Sequence, residues 1–447
     1  MHRRTTTWGA ILGAALWLVS GGARADLASY IARPESQYHW EKASETQEGF
    51  ITVTDLKLRS QVWRGIPWDH TLRIYRPVKV KYPRTALLLI TGGNPGGEEA
   101  QLATLVASAA QAPVAILYNI PNQPLFGGKT EDDLIAYTCA EYLKSGDDTW
   151  PLLEPMTKSA VKAMDALQAF SEQDWKEKIE QFVVIGASKR GWTTYLTGAS
   201  DPRVKAIIPI VFDSLKLEAQ MPHQEALWGE YSEQIQPFTQ LGIQRELSTR
   251  RGRRLVRLVD PWYYRKKLKM PKLLINGAND RYWPTDATSL YWKDLPGEKS
   301  LLYVPNSGHK IEDVSRVIAT ATAFFRHVTG NGDFPRLTSE NSGKGETRTL
   351  RVQSSVKPTE ARLWVARSDT FDLRDSKWES SPMRAEGDAY AGEVTVPQKG
   401  SVAWFGELVF AGPAGPFSLS TPSHIAPDPV NRNARPEPPA AGNPSPK

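Results

Sequence analysis

The sequence predicts an α/β chain with a mostly parallel central sheet and helices on both faces, followed by a small C-terminal all-β domain. Three observations predict it. Short, near-continuous apolar runs at 85–90, 114–118, 182–187, 204–211, 273–276 and 300–304 are interleaved with segments of helical pattern at 97–111, 131–145, 155–172 and 311–328. Strands of that composition are buried on both faces, and their alternation with helices implies right-handed crossovers in a parallel sheet. From Thr347 onward the apolar period changes to two, in short segments with no helices between them, which suits antiparallel strands only. Finally, three of the apolar runs end in residues that carry chemistry: Ser188, Asp280 and His309.

Taken in order, the chain opens with Arg3 and Arg4, an apolar run over 8–19, and Ala23-Arg24-Ala25. These are the charged, apolar and small-residue parts of a secretory signal peptide, expected at 1–25 with cleavage after Ala25. The run is shorter than the roughly 20 residues a membrane span needs. No later run is long enough either, so an exported protein, periplasmic or secreted, is expected. Its net charge of +6 includes three arginines of the leader, which speaks against nucleic acid as a partner. The single cysteine, Cys139, lies in a helical pattern and reads as an inert core thiol; disulfides are excluded.

Residues 26–50 read as a polar lead-in without clear period. The alternating segments 51–58 and 70–75 suit antiparallel edge strands. Between 214 and 270 the strand–helix alternation lapses in a stretch rich in Gln, Glu, Arg and aromatics. It is expected to be an insertion or cap within a main domain spanning 26–330, and its basic runs at 250–254 and 265–267 to be a solvated face or, alternatively, an attractor of an acidic substrate or cell-envelope surface. Gly, Asn, Ser and Lys mark a linker at 331–346. A sandwich-like accessory domain is expected at 347–425, and a disordered, Pro- and Ala-rich tail at 426–447.

The run 181–191 carries the most chemistry. A β-branched strand ends in Gly186-Ala187-Ser188, and a helical segment follows. A sharp strand–turn–helix lifts a serine hydroxyl from the sheet and leaves backbone N–H groups beside it. A serine hydroxyl is a weak nucleophile and needs a base and an acid. His309 and Asp280 follow later strands, and the chain order Ser188, Asp280, His309 is that of the α/β-hydrolase fold. Ser188 is expected to attack, His309 to take and return the proton, and Asp280 to orient the imidazole. Asp213 and Asp286 are rival acids, and His70 is a rival base. The turn departs from the usual elbow, with Arg190 where a glycine is expected and Gly191 one position later.

Donors for an oxyanion are expected from the Lys189 N–H and from Gly93 and Asn94 in the loop Thr91-Gly92-Gly93-Asn94-Pro95-Gly96-Gly97, where glycines permit close backbone approach. That loop lacks the lysine spacing of a phosphate loop. Tyr282, Trp283 and Trp262 are candidates for a substrate-binding platform. No metal-ligand spacing and no cofactor fingerprint occurs, so neither is expected; the substrate expected is an ester or amide.

Several longer strings carry a family likeness. Residues 60–70 (SQVWRGIPWDH), Gly92-Gly93-Asn94, residues 150–156 (WPLLEPM), Gly186-Ala187-Ser188-Lys189-Arg190-Gly191-Trp192 and Asn276-Gly277-Ala278-Asn279-Asp280 together resemble the PhoPQ-activated pathogenicity-related protein family. The resemblance spans about 28–425. It implies an exported α/β-hydrolase-like protein, linked in some bacteria to envelope stress and virulence regulation, with eukaryotic relatives among secreted proliferation-repressing signals. It supplies no substrate.

Overall fold

The computed structural model describes residues 26–330, 334–343 and 345–428. The expected signal peptide, and the tail from 429 on, lie outside the described residues. Nine strands form the central sheet: β1 (His39–Glu48), β2 (Ile51–Trp63), β3 (Ile66–Pro77), β4 (Thr85–Ile90), β5 (Val114–Leu117), β6 (Gln181–Ala187), β7 (Val204–Ile210), β8 (Lys272–Gly277) and β9 (Lys299–Val304). Their spatial order is β1-β2-β3-β5-β4-β6-β7-β8-β9. The first strands pair antiparallel and everything from β5 to β9 is parallel. This is the α/β-hydrolase arrangement. The chain passes from β4 outward to β5 and returns on the other side at β6, so the strand order reverses between β4 and β6. At such a switch point the loops after adjacent strands diverge and leave a crevice at the carboxyl edge.

Each buried strand is apolar throughout because its alternate residues face two different cores. Leu87, Val183 and Ile208 pack on the side of the helices Glu98–Ala110 and Val314–Gly330. Leu88, Val184 and Ile207 pack on the side of Leu153–Asp174 and Lys189–Ser200.

The structure departs from expectation in three places. Residues 26–50 are not an irregular lead-in: they contain the helix Leu27–Ala32 and strand β1. Nearly every β1 side chain is exposed, so no apolar period marks it, and its charges shield the sheet edge from pairing with other chains. The linker expected at 331–346 contains β10 (Leu337–Ser342), which pairs with β11 (Thr347–Ser354) through polar residues that face solvent. The third concerns the accessory domain. Two antiparallel sheets stack there, one of β10, β11, β15 (Ala389–Thr395) and β14 (Arg384–Glu386), the other of β13 (Glu379–Pro382), β12 (Glu360–Ser368), β16 (Ser401–Phe410), β17 (Phe417–Ser420) and β18 (His424–Ala426). Small residues let the sheets approach, since a Cβ at Gly392 would lie 2.9 Å from Leu363, and one at Gly406 2.8 Å from Val352. A core separate from the main domain is expected from the sequence, but the buried residues are continuous with it. Phe405 lies against Tyr303 of β9, and Leu350 and Leu419 join the cluster that holds Val304 and Phe324. β18 also takes Ala426 out of the expected tail.

The stretch after β7 is a cap of short helices, Leu217–Trp228, Gln236–Gln240, Ile243–Glu246 and Arg250–Val259, with a 3-10 turn at Pro261–Lys267. Among the described residues no helix is long and apolar enough to cross a membrane.

Candidate active site

Ser188 stands between β6 and the helix Lys189–Ser200 with φ 57° and ψ −127°. A non-glycine residue there is strained by about 1–3 kcal/mol, a cost kept where the surroundings over-determine the turn. The determinants are visible. The Ser188 N–H donates to the Ile210 carbonyl at 2.8 Å, and its own carbonyl accepts from Trp192 N–H at 3.0 Å. A Cβ at Gly186 would lie 2.5 Å from the Arg190 carbonyl oxygen, and one at Gly191 would lie 3.0 Å from both Ile210 O and Phe212 Cβ. The shifted glycine is thus the residue that packs under β7.

Arg190 can replace the usual glycine because its side chain leaves the turn sideways. Its Nε donates to the Ile120 carbonyl at 2.6 Å, and its two terminal nitrogens grip both Glu131 oxygens at 2.7 Å. Lys189 Nζ completes the cluster, 2.7 Å from Glu131 and 3.2 Å from Asp132. Burial alone would raise the Glu131 carboxyl, but the Arg190 fork and the Lys189 ammonium hold it well below the usual carboxylate range.

His309 Nε2 lies 2.8 Å from Ser188 Oγ, and its Nδ1 lies 2.8 Å from Asp280 Oδ2. Asp280 Oδ1 accepts the Tyr282 N–H at 2.8 Å, which fixes the carboxylate plane. The Tyr282 ring covers the imidazole at 4.0 Å between centroids, and its hydroxyl donates to Asp132 at 2.9 Å. The loops carrying Asp280 and His309 touch backbone to backbone: Asn279 N–H donates to Ser307 O at 2.9 Å, and a Cβ at Gly277 would lie 2.2 Å from Gly308 O.

The rival residues are engaged elsewhere. Asp213 accepts from Thr288 Oγ1 at 2.7 Å and from the Tyr291 hydroxyl. Burial pushes its carboxyl up to about 7, against the pull of those two hydroxyls. Asp286 holds His223 at 2.7 Å. His70 is buried between Ser60 Oγ at 2.9 Å and the Asn119 carbonyl at 3.2 Å, and that burial lowers it to about 4.

Three expected site residues are not brought to the cavity at Ser188. The Gly93 N–H is turned onto Thr91 Oγ1 at 3.2 Å, and the Arg190 guanidinium occupies the space a side chain at Gly92 would need. Asn94 lines a different, open cleft beside Arg59, Asp69 and His70. Trp262 lies in the 3-10 turn that ends the cap, where Arg265 sits 4.1 Å from its ring centroid and Lys216 5.2 Å. The Lys189 N–H opens a helix and so has no intrahelical acceptor. Tyr282 and Trp283 do line the cavity, which has a volume of about 90 Å³. The sequence carries no sign of the rest of its apolar wall, beside which Asp132, Ser214 and Gln244 also stand. Trp192, Val211 and Phe212 come from the helix after Ser188 and the end of β7, and Leu217, Met221, Ile235, Phe238, Ile243 and Leu247 come from the cap. A β-branched residue at positive φ, Val211 at 45°, is the sort of outlier that marks such sites, yet nothing in its sequence neighbourhood signals it.

Over residues 27–375 the chain matches the family described as PhoPQ-activated pathogenicity-related protein. It belongs to that family. The family match ends at 375, so the strands from β13 on lie beyond it, whereas the resemblance in the sequence runs to about 425. Among curated relatives, this family member is 31% identical over 388 residues to autocrine proliferation repressor protein A of Dictyostelium discoideum, covering 80% of this chain and 77% of that protein. Similar solved structures include acetyl xylan esterase 1 from a Thermoanaerobacterium species, at 14% identity and a TM-score of 0.43 over 68% of this chain and 93% of that one. Another is a glucuronoyl esterase from Solibacter usitatus, at 14% identity and a TM-score of 0.42 over 68% of this chain and 91% of that one.

Proposed function

We propose that this family member is an exported serine hydrolase that cleaves an ester or amide through an acyl-Ser188 intermediate. The observation that carries the reading is the continuous chain Ser188 Oγ, His309, Asp280, with both links at 2.8 Å. His309 Nε2 removes the hydroxyl proton as Ser188 Oγ attacks the carbonyl carbon, and Asp280 stabilises the imidazolium through Nδ1. The negative charge that develops on the carbonyl oxygen faces the start of the helix Lys189–Ser200, where the Lys189 N–H serves as donor. Collapse expels the leaving group, which takes the proton from His309. Water then repeats the sequence on the acyl-serine and restores the free enzyme.

Export rests on the leader-like residues 1–25, and action at the cell envelope on that leader together with the family description. A second reading is a secreted binding or signalling protein whose site is silent. The name of the Dictyostelium relative and the departure of Arg190 from the usual elbow favour it. A fluorophosphonate probe separates the two. Labelling of wild type, lost in Ser188→Ala and in His309→Ala, supports the hydrolase. Both variants should lose ester hydrolysis by several orders of magnitude, since members of a triad act as a unit. Absence of labelling together with equal residual activity in all three proteins transfers the case to the binding reading.

A further inference from the structure

We infer that the acyl group transferred to Ser188 is short, uncharged and apolar, and that the cap's own side chains select it. This rests on the serine-hydrolase reading above and goes beyond it by naming the substrate class. The cavity that opens on Ser188 and His309 is walled by Phe212, Leu217, Met221, Ile235, Phe238 and Trp283. Met221, Ile235 and Trp283 belong to one buried cluster, against which Leu217 and Phe238 pack, so the pocket is a finished structure rather than an accidental gap between domains.

Charge at its rim is already matched. Lys189 Nζ is held by Glu131 and Asp132, and Asp132 also takes the Tyr282 hydroxyl. An acyl group bearing a carboxylate or phosphate would therefore lose its hydration without gaining an unpaired cation. Size follows from volume. A dry apolar cavity of about 150 Å³ takes up the six carbons of benzene; at about 90 Å³ this one suits a chain of roughly three to four carbons.

The geometry also says which half of the ester enters. The leaving group collects its proton from His309, whose side chain is 24% exposed, and the second water must arrive by the same side. The part that stays bound between the two steps is the acyl group, and the apolar pocket beside Ser188 holds it.

A series of p-nitrophenyl esters from acetate to dodecanoate tests this on the full-length mature protein, with fluorophosphonate labelling of Ser188 run in parallel. Burial of one methylene changes a rate about fourfold. kcat/KM should therefore rise about fifteenfold from acetate to butanoate, level off there and fall from hexanoate onward. Acetate hydrolysed as fast as butanoate, or a rise that continues through dodecanoate, with Ser188 labelled, overturns the inference and leaves the hydrolase reading intact. No labelling and no hydrolysis of any ester overturns both. Met221→Trp, which fills the pocket, should lower the butanoate-to-acetate ratio about tenfold. An unchanged ratio in a variant with a wild-type unfolding transition overturns the assignment of the cap as selector, and the wild-type series decides the question if the variant does not fold.

Discussion

Gly186→Ala tests whether the serine turn is held by backbone crowding. The new methyl would lie 2.5 Å from the Arg190 carbonyl oxygen, 2.7 Å from its carbonyl carbon and 2.9 Å from Thr194 Oγ1. Carbon and oxygen make favourable contact at about 3.3–3.6 Å, so strand β6 and the first turn of the helix must separate by about 0.8 Å. Two of the three obstructing atoms are backbone, and no rotamer change relieves them. Forcing a methyl into such a site costs about 1–3 kcal/mol. Ser188 lies at the end of that strand, so a shift of the same size moves Oγ relative to His309 Nε2. Misplacement on the order of 1 Å lowers rates about a hundredfold. The assay is kcat for p-nitrophenyl butanoate alongside urea unfolding, with Gly191→Ala as the milder comparison, since its closest contacts lie at 3.0 Å. A Gly186→Ala protein with wild-type rate and wild-type midpoint would refute the crowding argument.

Further outcomes follow from other contacts. Asn306 exchanges two hydrogen bonds with the Trp378 backbone, at 2.8 and 3.0 Å, and Asn279 Nδ2 donates to Ser376 O at 2.7 Å, so the accessory domain braces the loops of both His309 and Asp280. Asn306→Ala leaves buried backbone groups unpaired and should cost about 1–3 kcal/mol in urea unfolding, with reduced kcat; unchanged kcat would show that the brace is only structural. Glu154 is fully buried and neither carboxyl oxygen has a partner in the protein. Burial raises its carboxyl from 4.5 to about 8. The folded state therefore holds this proton more tightly than the unfolded state, and the stability it contributes is complete below pH 4.5 and is lost as pH rises to 8. Glu154→Gln should match wild type near pH 4 and exceed it by about 2–4 kcal/mol at pH 8; parallel pH profiles would contradict the assignment. Cys139, buried with its thiol pushed up to about 12, should react with a thiol reagent only once the chain unfolds.

What could be read without the structure was whatever lies within one local segment. A buried parallel strand is apolar throughout, and the residue at its end is adjacent in sequence, so Ser188, Asp280 and His309 stand out in a linear reading. The shifted glycine at 191 was equally visible, and only its reason was hidden: the contact with Ile210 and Phe212 exists because β7 lies beside β6. β1 escaped notice because a strand exposed on both faces has no period, whatever its hydrogen bonds.

Other features depended on where separate segments meet. Gly93 and Asn94 follow β4, which lies beside the strand that ends at Ser188, and that is where an oxyanion loop is expected. The Arg190 side chain, reaching across to Glu131 and Ile120, takes up the space beside that loop. Trp262 stands among aromatics as dense as those that do line the site, and only the path of the cap places it elsewhere. The brace from 374–378 and the apolar wall from 217–247 join residues far apart along the chain. Strand and turn are set by interactions between neighbours in sequence, which composition records; a pocket is set by the packing of side chains from distant segments, which has no signature in any one of them.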